Sequence, residues 1–174
     1  MAVTAQLIVG DGDQRFASEL TSQALCATAA KLTENASQIG IFDLLSNHSD
    51  FAVRAAVATM ENLSNEAIER LAMDSSQSVV RQLLQSKAAR IRLSSSQVLT
   101  IAQRDPELAG AVADAVEDFS LDDDAVMAYL ENHPDAHVRT KLAANPFCGN
   151  AVLRRLSTGD ADEHVREIAT DMLA

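Results

Sequence analysis

An all-helical fold is what this sequence predicts, and three observations carry the prediction. Of 174 residues 47% are apolar but only 3% aromatic, with no Trp and one Tyr. A core of Ala, Leu, Val and Ile favours close-packed helices over a sandwich or barrel. Only six Gly and three Pro punctuate the chain, so its connections must be short and helix-compatible. The third observation is an internal repeat of paired helical segments. The length suffices for one domain with a substantial core, and residues 1–174 are read as a single domain.

The first ten residues, "MAVTAQLIVG", have no basic n-region and their apolar run stops at Gly10, so no secretory signal is read. Residues 1–16 are expected to form an N-terminal extension. Nowhere do 18 apolar residues run together, which argues against a membrane span. Cys26 and Cys148 lie far apart and make neither a disulfide framework nor a thiolate cluster. A reducing cytoplasm suits them.

Self-comparison brings out units starting near His48, Asp74, Arg104 and His133, with a last partial copy from Gly159. Their aligned column is Arg54, Arg81, Gly110, Arg139 and Arg166, at spacings of 27, 29, 29 and 27. Asp50, Asp135 and Asp162 stand four residues before their arginines and are natural N-caps. Val53, Val57, Val138, Leu142, Val165 and Ala169 recur at i, i+4 and mark the buried face of a first helix. A second column, Leu63, Leu93, Leu121 and Phe147, precedes the caps Ser64, Ser94, Asp122 and Cys148. Five positions on stand Ile68, Val98, Val126 and Val152, at hydrophobic-staple spacing. Ser94 with Gln97 fits a capping box, whereas Cys148 is a poor cap, so that helix is expected to start on Gly149 or Asn150. Extended backwards, the column reaches Ala36, with Ser37 as cap and Ile41, Leu44 and Leu45 as the inward face. The repeats then span about 17–47, 48–73, 74–103, 104–132 and 133–158, followed by a capping helix in 159–174. That gives about eleven helices and no sheet. A two-helix unit of about 28 residues cannot bury its apolar faces alone, so its neighbours must stack into a solenoid.

The pattern D-x-x-V-R-x-x-[VL]-A, best kept in "DFAVRAAVA" at 50–58, "DAHVRTKLAANP" at 135–146 and "DEHVREIA" at 162–169, resembles the leucine-rich repeat variant family. These are short-repeat relatives of the HEAT-like solenoids. The likeness covers residues 36–174, and the unit from Arg104 departs from it, with Ala109-Gly110 in place of Val-Arg. The resemblance implies a right-handed α-superhelix of about five repeats that serves as a binding surface.

His133, Asp135 and His137 could suggest a metal site. They fall on repeat positions instead: His48, Asp74 and Asp160 match His133, and Asp135 is a cap. Pro134 also keeps His133 at or before the helix start, which spoils the i, i+4 pairing that two ligands on one helical face need. No metal or other cofactor is expected. The arginine column reads as a structural ladder, each Arg reaching a carboxylate or carbonyl of the adjacent unit, or alternatively as a phosphate-gripping stripe. The longer connection in "QSKAARIRLS" adds Lys87, Arg90 and Arg92 in a loop, where solenoids vary their binding.

Net charge is −11, and residues 105–137 hold ten acidic and no basic side chains. A general nucleic-acid binder needs a basic surface, so this chain has the wrong sign for one. Asp122, Asp123 and Asp124 stand at a helix start, where carboxylates complement the dipole. They are also the candidate seat for a basic partner, either another protein or the Lys87–Arg92 segment of a second copy. The sequence carries no nucleophile elbow, dinucleotide fingerprint or phosphate loop. The expected function is therefore a non-catalytic protein-binding scaffold. The competing reading is a small enzyme or ligand-binding protein using the concave groove.

Overall fold

A computed structural model of the chain describes residues 5–10, 15–29, 31, 39–119, 121 and 124–174. The described residues fall into two compact units, Met1–Ala89 and Arg90–Ala174. The first holds strands β1 (Gln6–Gly10) and β2 (Arg15–Glu19) and helices α1 (Ser22–Ala29), α2 (Ile39–Leu45), α3 (Phe51–Ala58), α4 (Asn65–Ala72) and α5 (Gln77–Gln85). Helix α6 (Lys87–Arg90) runs across the division. The second holds α7 (Ser95–Ala102), α8 (Pro106–Ala113), a 3-10 turn at Val116–Asp118, α9 (Ala125–Glu131), α10 (Ala136–Ala144), α11 (Asn150–Gly159) and α12 (Glu163–Asp171). No described helix is long and apolar enough to cross a membrane.

The protein is predominantly helical, but the expectation of no strand fails at its N-terminal end. β1 and β2 pair antiparallel with Ile8 opposite Ala17. Leu7-Ile8-Val9 is a run with strong β preference, and Asp11-Gly12 between the strands is a hairpin dipeptide that the helical reading passed over. A second departure is α6, a helical turn where a loop was expected.

Most of these helices are too short to persist alone, so caps and neighbours must hold them. Asp50, Asp135 and Asp162 cap α3, α10 and α12 by accepting the backbone N–H two residues on, each at 2.9 Å. Ser64 caps α4, and Ser94 with Gln97 closes the capping box of α7. The predicted i, i+4 faces are fully buried: Val53, Val57, Val138, Leu142, Val165 and Ala169. In the first unit α1 packs on α3, α3 on α5, and α2 on α4. In the second, α8 packs on α10 and α10 on α12, with α7 against α9. First helices thus stack on first helices, and second helices on second in the α2–α4 and α7–α9 pairs.

Three second-helix assignments shift. The staple residue Ala36 and the proposed caps Ser37 and Asp122 lie outside the described residues. In α2 the buried face is Phe42 and Leu45, while Leu44 is 61% exposed and Ile41 is also exposed. Helix α9 starts at Ala125 with Asp124 at the N-cap, so Leu121 stands too early to be its staple residue. In the last pair Phe147 is 68% exposed and Cys148 is buried in its place. The cause is Asn145, a buried side chain that donates to the Ala113 carbonyl (3.1 Å) and accepts the Phe147 N–H (2.8 Å). That turn points Phe147 outward and starts α11 from Gly149.

Replacing Leu142 with Asp strands a charge in the fully buried seam between α8, α10 and α12 and should cost about 4 kcal/mol or more. Hydrogen exchange should show protection collapsing over α10–α12 while α3–α5 keep theirs.

Candidate functional site

The residues that looked chemical in the sequence sit at the joints between stacked helices. Arg54 forks onto Asp74, its Nε 2.6 Å from Oδ2 and its Nη2 2.9 Å from Oδ1, while Nη1 donates to the carbonyls of His48 and Ser49. Arg139 repeats the arrangement on Asp160, at 2.7 and 2.8 Å, with Nη1 on the carbonyls of His133 and Pro134. Arg166 donates to the Asp160 carbonyl at 2.7 Å. In both forked pairs the carboxylate is nearly buried, so the planar guanidinium ties one first helix to the turn that opens the next. Hydrogen bonding from Arg139 holds the Asp160 carboxyl below its ordinary 3.8, with help from the Asp162 N–H and against the opposing effect of burial.

The column needs one correction. Counted from the caps, Arg54, Arg139 and Arg166 are fourth in position. Arg81 follows the Ser76 cap by five, and Gly110 follows Asp105 by five. The seats in those units belong to Val80 and Ala109, both fully buried. The partner position changes in step. Within the first unit the Arg54 seat is answered by Asp74, whereas Leu25, fourth after the Thr21 cap, precedes His48. Within the second unit Arg139 is answered by Asp160, and Ala109 precedes His133.

This accounts for the histidines. His133 Nδ1 accepts the Asp135 N–H at 3.1 Å, and His48 does the same for Asp50. Asp74 and Asp160 make the equivalent turn with carboxylates, accepting from Ser76 and Asp162. The imidazole substitutes for the carboxylate of an Asx turn where no arginine reaches in to pair with one. Buried His133 also meets Tyr129 edge-on, with 5.4 Å between centroids. Asp135 is spent on its cap and His137 is exposed. Among the described residues no group of three His, Cys, Asp or Glu is placed to hold a metal ion.

Of the tentative partner-binding residues, Arg90 is committed inside the second unit. Its Nε and Nη2 lie 3.0 and 2.6 Å from Asp118 Oδ2. Lys87 and Arg92 are exposed. Asp122 and Asp123 lie outside the described residues, and Asp124 is the exposed N-cap residue of α9, with no side-chain capping bond. Much of the acidic surplus is answered locally: Asp118 by Arg90, Asp114 by Lys141, and Glu131 by a two-point contact from Arg155.

Helices α9 and α11 barely touch, and the space between them is a groove of about 390 Å³. Met127 and Ala128 form one wall, Ala151 and Val152 the other, with Asp124 and the Glu131–Arg155 pair at its edges. The sequence reading missed it, because no motif marks a gap left by small side chains. A second, polar groove of about 440 Å³ adjoins it across that ion pair, lined by His133, Arg139 and Asp160 among others. No family model matches the chain, and no curated protein or solved structure matches it.

Breaking the buried pair with Arg139→Leu leaves Asp160 unanswered and should cost about 3 kcal/mol. Adding Asp160→His copies the Leu25/His48 combination and should recover at least half of that loss in a denaturant titration. The pH response follows from the same pair. A carboxyl with a depressed folded value contributes fully above the ordinary 3.8 and loses its contribution as pH falls through the folded value. Unfolding free energy should therefore drop on acidification below about pH 5, and the drop should be smaller in Asp160→Asn.

Proposed function

We propose that this chain is a right-handed α-solenoid of the leucine-rich repeat variant type, and that it acts as a non-catalytic cytoplasmic scaffold binding a basic region of another protein. The stacking of first helices on first within each unit, with α2 on α4 and α7 on α9, supports the solenoid. Such stacking leaves one face of the second helices available along the repeat.

Asp124 carries the binding assignment. Most acidic groups around it are paired or spent on caps, whereas Asp124 makes neither a capping bond nor an ion pair among the described residues. Asp122 and Asp123 precede it directly in sequence, which makes residues 122–124 the densest run of acidic residues in 105–137. Self-association through Lys87 and Arg92 of a second copy is a special case of the same binding, with Arg90 removed from it by Asp118.

The small-ligand reading rests on the polar groove beside His133. Its arginines, Arg139 and Arg155, already hold Asp160 and Glu131, which weighs against it as an anion site.

Affinity capture on the immobilised chain should retain a protein with a basic segment. Reversing Asp122, Asp123 and Asp124 to Lys should weaken that binding about tenfold or more and remove most of its salt dependence. Unchanged affinity and salt slope would reduce the acidic stretch to a solubilising face.

A further inference from the structure

We infer that the groove between α9 and α11 is the anchor seat of this surface: it receives one large apolar side chain of a partner segment whose neighbouring residues are Lys or Arg. This inference rests on the protein-binding reading and names the chemistry of the segment that is bound.

Shape comes first. The groove follows α9 from Asp124 to Glu131, about 10 Å of helix at 1.5 Å per residue. Its volume is at the small end of ligand sites, suited to a side chain or two rather than a cofactor. The lining is mostly apolar, with Met127 half-buried and Ala128 and Ala151 exposed. Interfaces concentrate their binding energy on such anchors, seated in apolar pockets inside a polar rim.

Charge then selects the occupant. One end of the groove is closed by Glu131 and Arg155, which pair with each other. Asp124, the N-cap residue of α9, makes no ion pair of its own and shares the field of Arg155 with Glu131. One cation thus faces two carboxylates and the rim stays net negative; Asp123 and Asp122 precede Asp124 in sequence. A segment bringing its own carboxylates would meet repulsion there. One bringing Lys or Arg beside its apolar residue would satisfy both the floor and the rim. The thioether of Met127 adapts to aliphatic or aromatic anchors alike.

The test is a selection from a phage-displayed random 12-residue peptide library on the full chain, with synthetic copies of the winners measured by fluorescence anisotropy. Enriched peptides should share one Leu, Ile, Met or Phe flanked by Lys or Arg. Ala151→Gln puts neutral polar bulk on the groove floor and should weaken them about tenfold without changing the salt slope. Ala128→Gln, on the opposite wall, should do the same should Ala151→Gln disturb α11. Asp124→Asn should weaken them a few-fold and flatten the salt slope. Winners that lose affinity in the Asp122, Asp123 and Asp124 reversal but ignore both Gln variants would overturn the groove and leave the protein-binding reading standing. Acidic or uncharged winners, or none above background, would also overturn the inference.

Discussion

Helix length is the constraint on which this structure depends. Segments of four to ten residues gain too little from their own hydrogen bonds to stay folded in water, so they must be fastened at their starts and packed along their sides. The sequence meets both needs with few residue types. Asp or Ser supplies the cap, and Val, Leu or Ala at i, i+4 supplies the packing. For Arg54 and Arg139, each four residues past its cap, the fork reaches the turn that opens the next first helix. Capping, turn formation and inter-helix bridging thus converge at the same few positions, and Asp160 takes part in all three.

The same economy decides what the charges can do. Ten acidic residues without a basic one between 105 and 137 suggest a uniformly repulsive surface. In the folded second unit, cations from outside that stretch, Arg90, Lys141 and Arg155, come in to meet three of them. Asp135 is taken up by its cap and Glu117 meets the Asn145 amide, while Asp124 at the start of α9 makes no capping bond. The field of the stretch is thus uneven, weakened where Arg90, Lys141 and Arg155 reach in.

Caps and buried faces were legible in the sequence because they are local: an Asp accepts an N–H two residues away, and a helix face repeats every three or four. Longer-range effects were not. Phe147 and Cys148 exchanged roles because Asn145 reaches 32 residues back to Ala113. Arg81 and Gly110 fell outside the arginine seat because their helices start from caps one residue earlier than the alignment supposed. The hairpin carried a readable Asp11-Gly12 signal that an all-helical expectation suppressed. The α9/α11 groove had no sequence signature at all, being defined by what alanines fail to fill.

Cys148, turned inward where Phe147 was expected, carries a consequence for measuring motion. Burial pushes its thiol up to about 11, with the Glu131 carboxylate adding to the effect and Arg155 opposing it. Only a thiolate attacks a labelling reagent at a useful rate. In the closed connection before α11 this sulfur is therefore both shielded and protonated, while Cys26 in the other unit is half-exposed. The two cysteines form a native pair of clocks, one per unit. The rate at which Cys148 is modified counts how often the α10–α11 joint opens.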